Sequence, residues 1–137
     1  MEDILELTRQ HFSRDNFVNL LGAELLEIKR GYAKAKLVLH DKHLNAHGVV
    51  HGGVIFSLAD FTLGVAGASY GTTVLAVQAS INFLHPAKTG ALFAEARELS
   101  KGRKIANYQV TVHDDNGTLI ASFIGVTYDK ELPLQGN

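Results

Sequence analysis

The chain contains no cysteine, and this absence excludes several kinds of chemistry. Without thiols there can be no disulfide, no thiolate-bound zinc and no cysteine nucleophile, and the composition fits a reducing compartment. Repeats, low-complexity stretches and interdomain linkers are also missing. We therefore predict a single domain spanning residues 1–137, which is long enough to bury a real hydrophobic core.

Positive and negative side chains are also nearly balanced. The formal net charge is −1, and no basic arm is present. Nucleic-acid binding requires a basic surface, so we predict no nucleic-acid partner. The N-terminus begins with acids and lacks the basic start and long apolar stretch of a signal peptide. We therefore expect a cytoplasmic protein.

One apolar run, between residues 53 and 70, approaches the ~20 residues that cross a membrane. It contains Ser57, Asp60 and Thr62, however, together with several glycines, and it has no basic flank. A helix that is apolar on all sides is more often the centre of a soluble core. We predict a central helix at about 52–70 and no membrane association.

The remaining pattern is mostly sheet. A short amphipathic helix is predicted at about 2–12, a two-residue hairpin turn at Asn116-Gly117, and a frayed tail over residues 132–137. Strands are predicted at 23–30, 32–40, 73–85, 91–99, 103–114 and 118–128. The fold class is therefore α+β, with a long antiparallel sheet wrapped around one central apolar helix. Because one helix covers only one sheet face, we predict a homo-oligomer, a dimer or a homotetramer made of dimers.

Asp60 is the most informative residue, because an isolated carboxylate among apolar neighbours costs several kcal/mol unless it is paired or protonated. Two glycines follow His51 at the predicted helix start, where unpaired N–H groups point outward. An N–H of Gly52 or Gly53 could polarise a carbonyl, and Asp60 could attack it or activate water. Gly52 and Asp60 are about 12 Å apart along a helix, so two copies must share each site.

The run Asn45–Gly53 (NAHGVVHGG), followed by Phe56–Asp60 (FSLAD), resembles the signature of the PaaI-like group of hotdog-fold acyl-CoA thioesterases. The resemblance covers roughly residues 18–128. It implies the hotdog fold, hydrolysis of an acyl or aryl-acetyl thioester of coenzyme A, and sites shared across a dimer interface. It also implies that Asn45 holds the water or the acyl group and that His51 organises the loop and the helix start.

Coenzyme A would enter as part of the substrate, so no separate cofactor and no metal are predicted. Gly53 and Ser57 are expected to touch the substrate, although Ser57 could instead bond to a helix carbonyl. The turn Lys101-Gly102-Arg103 is the best candidate for the coenzyme A phosphates, and a solvated hairpin tip is an equally good interpretation.

Other functions remain open at this point. A hotdog dehydratase or hydratase acting on acyl thioesters, or a non-catalytic acyl-CoA sensor, would have a similar pattern. A serine hydrolase is disfavoured because Ser57 lacks the Gly-x-Ser-x-Gly elbow. A metal cluster of loop histidines is disfavoured because the residues between His47 and His51 are poor helix formers.

Overall fold

A computed structural model describes residues 3–136 of the chain. Its helices are α1 (Ile4–Phe12), α2 (Asn16–Leu21) and α3 (Gly52–Ala68), and a short 3-10 helix spans Asp41–His43. Its strands are β1 (Glu24–Lys29), β2 (Tyr32–Val38), β3 (Thr72–Phe83), β4 (Ala91–Lys101), β5 (Ile105–His113) and β6 (Leu119–Pro133). Residue 2, which the sequence places in the first helix, lies outside the described part.

The six strands form one antiparallel sheet in the order β1-β2-β4-β5-β6-β3. The sheet curves around α3, which contacts every strand. The predicted α+β architecture, a long antiparallel sheet around one apolar helix, is confirmed. Among the described helices, none is long and apolar enough to span a membrane.

Small residues let α3 lie close to the sheet. Ala33 and Ala35 of β2 are fully buried, and so are Ala94 and Ala96 of β4. At Gly125 in β6, a Cβ would lie 2.7 Å from the side chain of Leu63, closer than real Cβ contacts. The helix is therefore fixed in its position by tight packing, as native cores are.

The sequence interpretation missed α2, a six-residue helix between α1 and β1. Its cap signals are present in the chain. The Asp15 side chain accepts a hydrogen bond from the N–H of Val18, and Gly22 ends the helix with a φ of +95°. Val18 and Leu21 are buried, so α2 is attached to the core by two apolar side chains.

The predicted two-residue turn at Asn116-Gly117 is wrong. Such a turn needs a positive φ at both positions, and only Gly117 has one. The Asp114 carboxylate instead accepts the N–H groups of Asn116 and Thr118, which stabilises a three-residue loop.

The prediction of a frayed tail is also wrong for residues 132–136. Strand β6 continues to Pro133, and Leu134 is buried. The N–H of Leu134 donates to the carbonyl of Gly71 at 3.0 Å, while Arg14 donates to the carbonyl of Gly136 at 3.1 Å. Residue 137 lies outside the described part.

A buried histidine positions the loop that precedes α3. His43 accepts the N–H of His40 through Nδ1 at 2.9 Å and donates through Nε2 to the carbonyl of Leu21 at 2.8 Å. Its backbone carbonyl accepts the N–H of His51 at 2.8 Å. Through these bonds the end of α2, the loop and the start of α3 are connected.

Strand β3 is an exposed edge. It pairs only with β6, and its side chains Leu75, Val77 and Phe83 are each more than half exposed. Long apolar edge strands are templates for pairing with another chain. The edge therefore supports the expectation of an oligomer, which remains a prediction.

Candidate active site

The start of α3 offers one free backbone donor. His51 is the N-cap, and its Nδ1 accepts the N–H of Gly53 at 2.8 Å. The N–H of Val54 donates to the carbonyl of His51 at 2.9 Å. The N–H of Gly52 has no hydrogen-bond partner among residues 3–136, so of the two candidate donors, Gly52 and Gly53, only Gly52 has a free N–H.

This free N–H lies at an apolar cavity. The cavity has a volume of about 280 Å³ and is lined by Val49, Val50, Gly52, Ile55, Phe83, Leu84, His85 and Pro86. A Cβ at Gly52 would lie 3.2 Å from the ring of Phe83, so glycine keeps the space beside the amide open. The aligned peptide dipoles of α3 add partial positive charge at this point. A carbonyl oxygen entering the cavity would therefore be polarised.

Asn45 organises the loop beside this helix start. Its side-chain oxygen accepts the N–H groups of His47 at 2.9 Å and Val49 at 3.3 Å. Its backbone N–H donates to the carbonyl of Val49 at 2.7 Å. Because the oxygen is committed to the loop, the side-chain NH₂ is the group that Asn45 could offer to a ligand.

Asp60 lies on the side of α3 that faces α2, at a second cavity. This cavity has a volume of about 220 Å³ and is lined by Asp15, Phe17, Val18, Phe56, Ser57, Asp60 and Phe61. Partial burial among these apolar groups raises the pKa of Asp60 above its ordinary value, and the nearby charge of Asp15 raises it further.

The dehydrated setting expected for Asp60 is only partly present. Its helix neighbours Leu58, Ala59 and Phe61 point into the core, whereas Asp60 itself is exposed in the single chain. The helical period explains this difference, since the face of α3 away from the sheet is covered only in part, by the short helices α1 and α2.

Ser57 lines the same cavity, but its hydroxyl is hydrogen-bonded within the helix. Its Oγ donates to the carbonyl of Gly53 at 2.7 Å. Thr62 makes the equivalent bond to Leu58, also at 2.7 Å. The helix-carbonyl interpretation of Ser57 is therefore confirmed, and its contact with substrate stays a prediction.

The basic turn lies at the other end of α3. The ammonium of Lys101 is 4.7 Å from the ring centre of Tyr70, and the N–H of Gly102 donates to the carbonyl of Ile105. Arg103 forms an exposed ion pair with Glu131 at 3.5 Å. The 17 residues of α3 separate this turn from Gly52 by about 25 Å, so within one chain the turn does not join the helix-start cavity.

No group of His, Asp or Glu side chains within residues 3–136 could hold a metal ion. Two of the loop histidines have structural tasks, since His43 connects the loop to α2 and His51 caps α3.

The comparison with known proteins agrees with this geometry. The family model of the thioesterase superfamily matches residues 47–121, more than half of the chain. An Archaeoglobus fulgidus protein named "Putative esterase" is 42% identical over 118 residues, which cover 85% of this chain and 77% of the relative. The acyl-coenzyme A thioesterase PaaI of Escherichia coli is 28% identical over 118 residues, covering 85% of this chain and 84% of that protein.

Solved structures give the same result. The structure of the E. coli PaaI protein matches with a TM-score of 0.92 at 25% identity and covers 96% of each chain. A Streptococcus mutans protein solved bound to acetyl CoA matches with a TM-score of 0.77 at 27% identity, covering 80% of this chain and 89% of the other. The chain belongs to the thioesterase superfamily. It is a hotdog-fold thioester hydrolase of the PaaI-like group, as its motif predicts.

The raised pKa of Asp60 predicts that its ionised carboxylate destabilises the fold. Since the folded state holds this proton more tightly than the unfolded state, the stability contribution falls as pH rises above the ordinary value of 3.8. Asp60→Asn should therefore raise the melting temperature at pH 7, and the gain should disappear below about pH 3.8.

Thermal unfolding at several pH values measures this effect. Asp3→Asn, which changes an exposed cap of α1 to another good cap, is the matched control and should show little change. A melting temperature at pH 7 that is lower for Asp60→Asn than for the wild type would show instead that the carboxylate is paired in the native assembly.

Proposed function

We propose that this thioesterase hydrolyses acyl-CoA or aryl-acetyl-CoA to a carboxylic acid and free coenzyme A. The free N–H of Gly52 polarises the thioester carbonyl, and Asp60 of a second copy acts as base or nucleophile. The name of the E. coli relative and the acetyl CoA in the S. mutans protein support this substrate class. The observation that carries the proposal is the unpaired Gly52 N–H at an apolar cavity.

The reacting carbon gains a negatively charged oxygen in the transition state, and Gly52 donates to it. Such a donor is effective because it is already oriented and needs no reorganisation during the reaction. The bond from Gly53 to His51 keeps the first turn of α3 in place. His51 is thus a residue that orients the donor, as the resemblance implies.

The two reactive groups cannot meet within one chain. Gly52 and Asp60 belong to one rigid helix and open into two different cavities, about 12 Å apart along the axis. A two-fold dimer can place the helix start of one copy beside the middle of the other helix. Each complete site then takes its amide from one copy and its carboxylate from the other.

The edge of β3 is well placed for such a dimer. Phe83, at the end of β3, lines the Gly52 cavity, and the strand leading to it is exposed and apolar. A second copy that pairs along β3 would therefore border the cavity directly. We propose this edge as the contact between the two copies.

Two chemical routes are compatible with Asp60. In the first, its carboxylate takes a proton from water, the hydroxide oxygen bonds to the acyl carbon, the carbon–sulfur bond breaks, and the thiolate is protonated. In the second, the carboxylate itself bonds to the acyl carbon, the carbon–sulfur bond breaks, and coenzyme A leaves as a thiolate that is then protonated. Water afterwards hydrolyses the mixed anhydride to the carboxylic acid and the free Asp60 carboxylate. A single turnover in ¹⁸O-labelled water separates them, because attack by water on the aspartyl carbon of the anhydride leaves the label in the protein.

The proposed phosphate contacts are Lys101, Gly102 and Arg103. The ion pair of Arg103 with Glu131 is exposed and therefore worth little, so a phosphate group can replace it. The proposed chemistry uses an amide, a carboxylate and water, and coenzyme A takes part only as a piece of the substrate. We accordingly propose hydrolysis without a separate cofactor.

A thiol-release assay over a panel of acyl-CoA substrates tests the activity. The wild type should release free thiol, with a rate that falls on the acid side as Asp60 becomes protonated. Asp60→Asn should lose most of the activity while remaining folded. Saturable binding of acyl-CoA without thiol release would indicate a sensor, and loss of an enoyl chromophore would indicate a hydratase.

Gly52→Pro removes the proposed donor with little change elsewhere. Proline is well tolerated at the first helical position, and His51 already has the extended backbone that the residue before a proline adopts. The rate should fall by about 10²–10³-fold, the usual cost of losing an oxyanion donor.

Gly52→Ala is the matched control, since it adds a Cβ against Phe83 but keeps the N–H. It should retain far more activity than Gly52→Pro. Equal losses in both variants would show that space at this position matters and that the amide does not.

Mixed oligomers test the shared site. When Asp60→Asn and Gly52→Pro chains are co-expressed, a mixed dimer contains one site with both defects and one intact site. Random pairing should therefore restore about a quarter of the wild-type activity. Mixtures with no more activity than either variant alone would contradict sharing between copies.

A further inference from the structure

A second carboxylate opens into the cavity of Asp60. Asp15 precedes α2 as its N-cap, and its Oδ1 accepts the N–H of Val18 at 3.0 Å. Val18 is buried in the core, so the cap fixes Asp15 with respect to α3. Asp15 and Asp60 both line the same cavity of about 220 Å³.

No cation among the lining residues compensates this pair. Asp15 and Asp60 are the only ionisable groups that line the cavity within the described chain. Arg9 of α1 lines a neighbouring cavity, which Val18 and Phe61 separate from the cavity of Asp60. Its guanidinium donates a hydrogen bond to the carbonyl of Leu25, near the start of β1.

Arg14, which follows the end of α1, also makes its contacts away from the cavity of Asp60. The guanidinium of Arg14 bonds to the carbonyls of Gln135 and Gly136 and contacts the ring of His11. The neighbouring cavity is also lined by two uncharged residues, Ala23 just before β1 and Leu25 near its start. The two aspartates therefore share a cavity whose other walls include the apolar side chains Phe17, Phe56 and Phe61.

We propose that Asp15 is a positioning residue of the thioesterase, whose fixed negative charge makes Asp60 a stronger base. This inference rests on the proposed function, because the kinetic consequence requires Asp60 to be the reacting carboxylate. Two carboxylates that share one partly apolar cavity disfavour the doubly ionised state. The charge of Asp15 accordingly contributes, after burial, to the raised pKa of Asp60.

A base of higher proton affinity removes a proton from water more readily, at the cost of being protonated at higher pH. The charge of Asp15 would thus increase the proton affinity of Asp60 as a base. It would also move the acid limb of the rate profile to a higher pH. Its helix-capping role alone has no such consequence.

Charge and capping can be separated by substitution. Asp15→Asn and Asp15→Ser remove the charge and keep a good N-cap. Both should move the acid limb of kcat/KM to lower pH with little loss of stability. Asp15→Glu keeps the charge but lengthens the side chain beyond the cap geometry, so it should lose stability and keep an acid limb close to that of the wild type. Asp3→Asn, at the cap of α1, should leave the profile unchanged.

A titration that does not depend on activity completes the test. With ¹³C-labelled aspartate, the carboxyl signal of Asp60 is identified by its absence in Asp60→Asn. In Asp15→Asn this signal should titrate at a lower pH than in the wild type. An unchanged Asp60 titration in both Asp15→Asn and Asp15→Ser would overturn the proposal.

The two proposals fail in different ways. If Asp60→Asn is inactive but the Asp15 variants keep the wild-type acid limb, the role of Asp15 is wrong and the proposed function stands. If Asp60→Asn remains active, the proposed role of Asp60 as base or nucleophile is wrong, and so is any catalytic role of Asp15, even where the carboxyl titration still shows coupling.

Discussion

The close packing of α3 against the curved sheet is the constraint on which the rest of the structure depends. Alanines in β2 and β4 and the glycine at 125 bring the sheet against the helix, and Leu58, Leu63 and Val65 are fully buried there. A helix held in this way cannot slide or rotate without opening cavities, which cost several kcal/mol each. The N–H of Gly52 at the start of α3 and the outer face of this helix are therefore held in fixed positions. The preceding loop, α2 and the edge strand β3 lie next to them.

That rigidity has a direct consequence for function. The Gly52 amide points out of the helix end, while Asp60 points sideways toward α2. Under the proposed mechanism, one chain offers half of a reaction centre at each place, and no local motion within a packed helix closes the distance. Pairing of copies would then be part of the chemistry, since it is the simplest way to bring a donor and a carboxylate to one carbonyl.

Much of this arrangement can be predicted from the sequence, because its strongest signals are local. The apolar run from 53 to 70 predicts α3, and the strand pattern predicts the sheet. The motif from Asn45 to Asp60 predicts the thioesterase family, which the comparisons confirm. The distance between Gly52 and Asp60 follows from helix geometry alone.

The parts that the sequence did not reveal depend on contacts between distant residues. α2 is only six residues long, and two buried side chains attach it to the core. The choice between Gly52 and Gly53 depends on which N–H the ring of His51 accepts. The C-terminal segment is held by two distant hydrogen bonds, in which Leu134 donates to the carbonyl of Gly71 and Arg14 donates to the carbonyl of Gly136. The local pattern around residue 132 gives no sign of either bond.

The missed helix matters most, because it changes the environment of Asp60. Without α2, Asp60 would lie on a more open helix face, and water would keep its proton affinity closer to the ordinary value. With α2 in place, Phe17 joins Phe56 and Phe61 of α3 around Asp60, and the N-cap Asp15 adds a negative charge. The fold tolerates this unfavourable pair because the tightly packed core beneath α3 supplies the stability that the pair removes. The electrostatic repulsion is thus greatest at the position where the proposed mechanism needs a strong base.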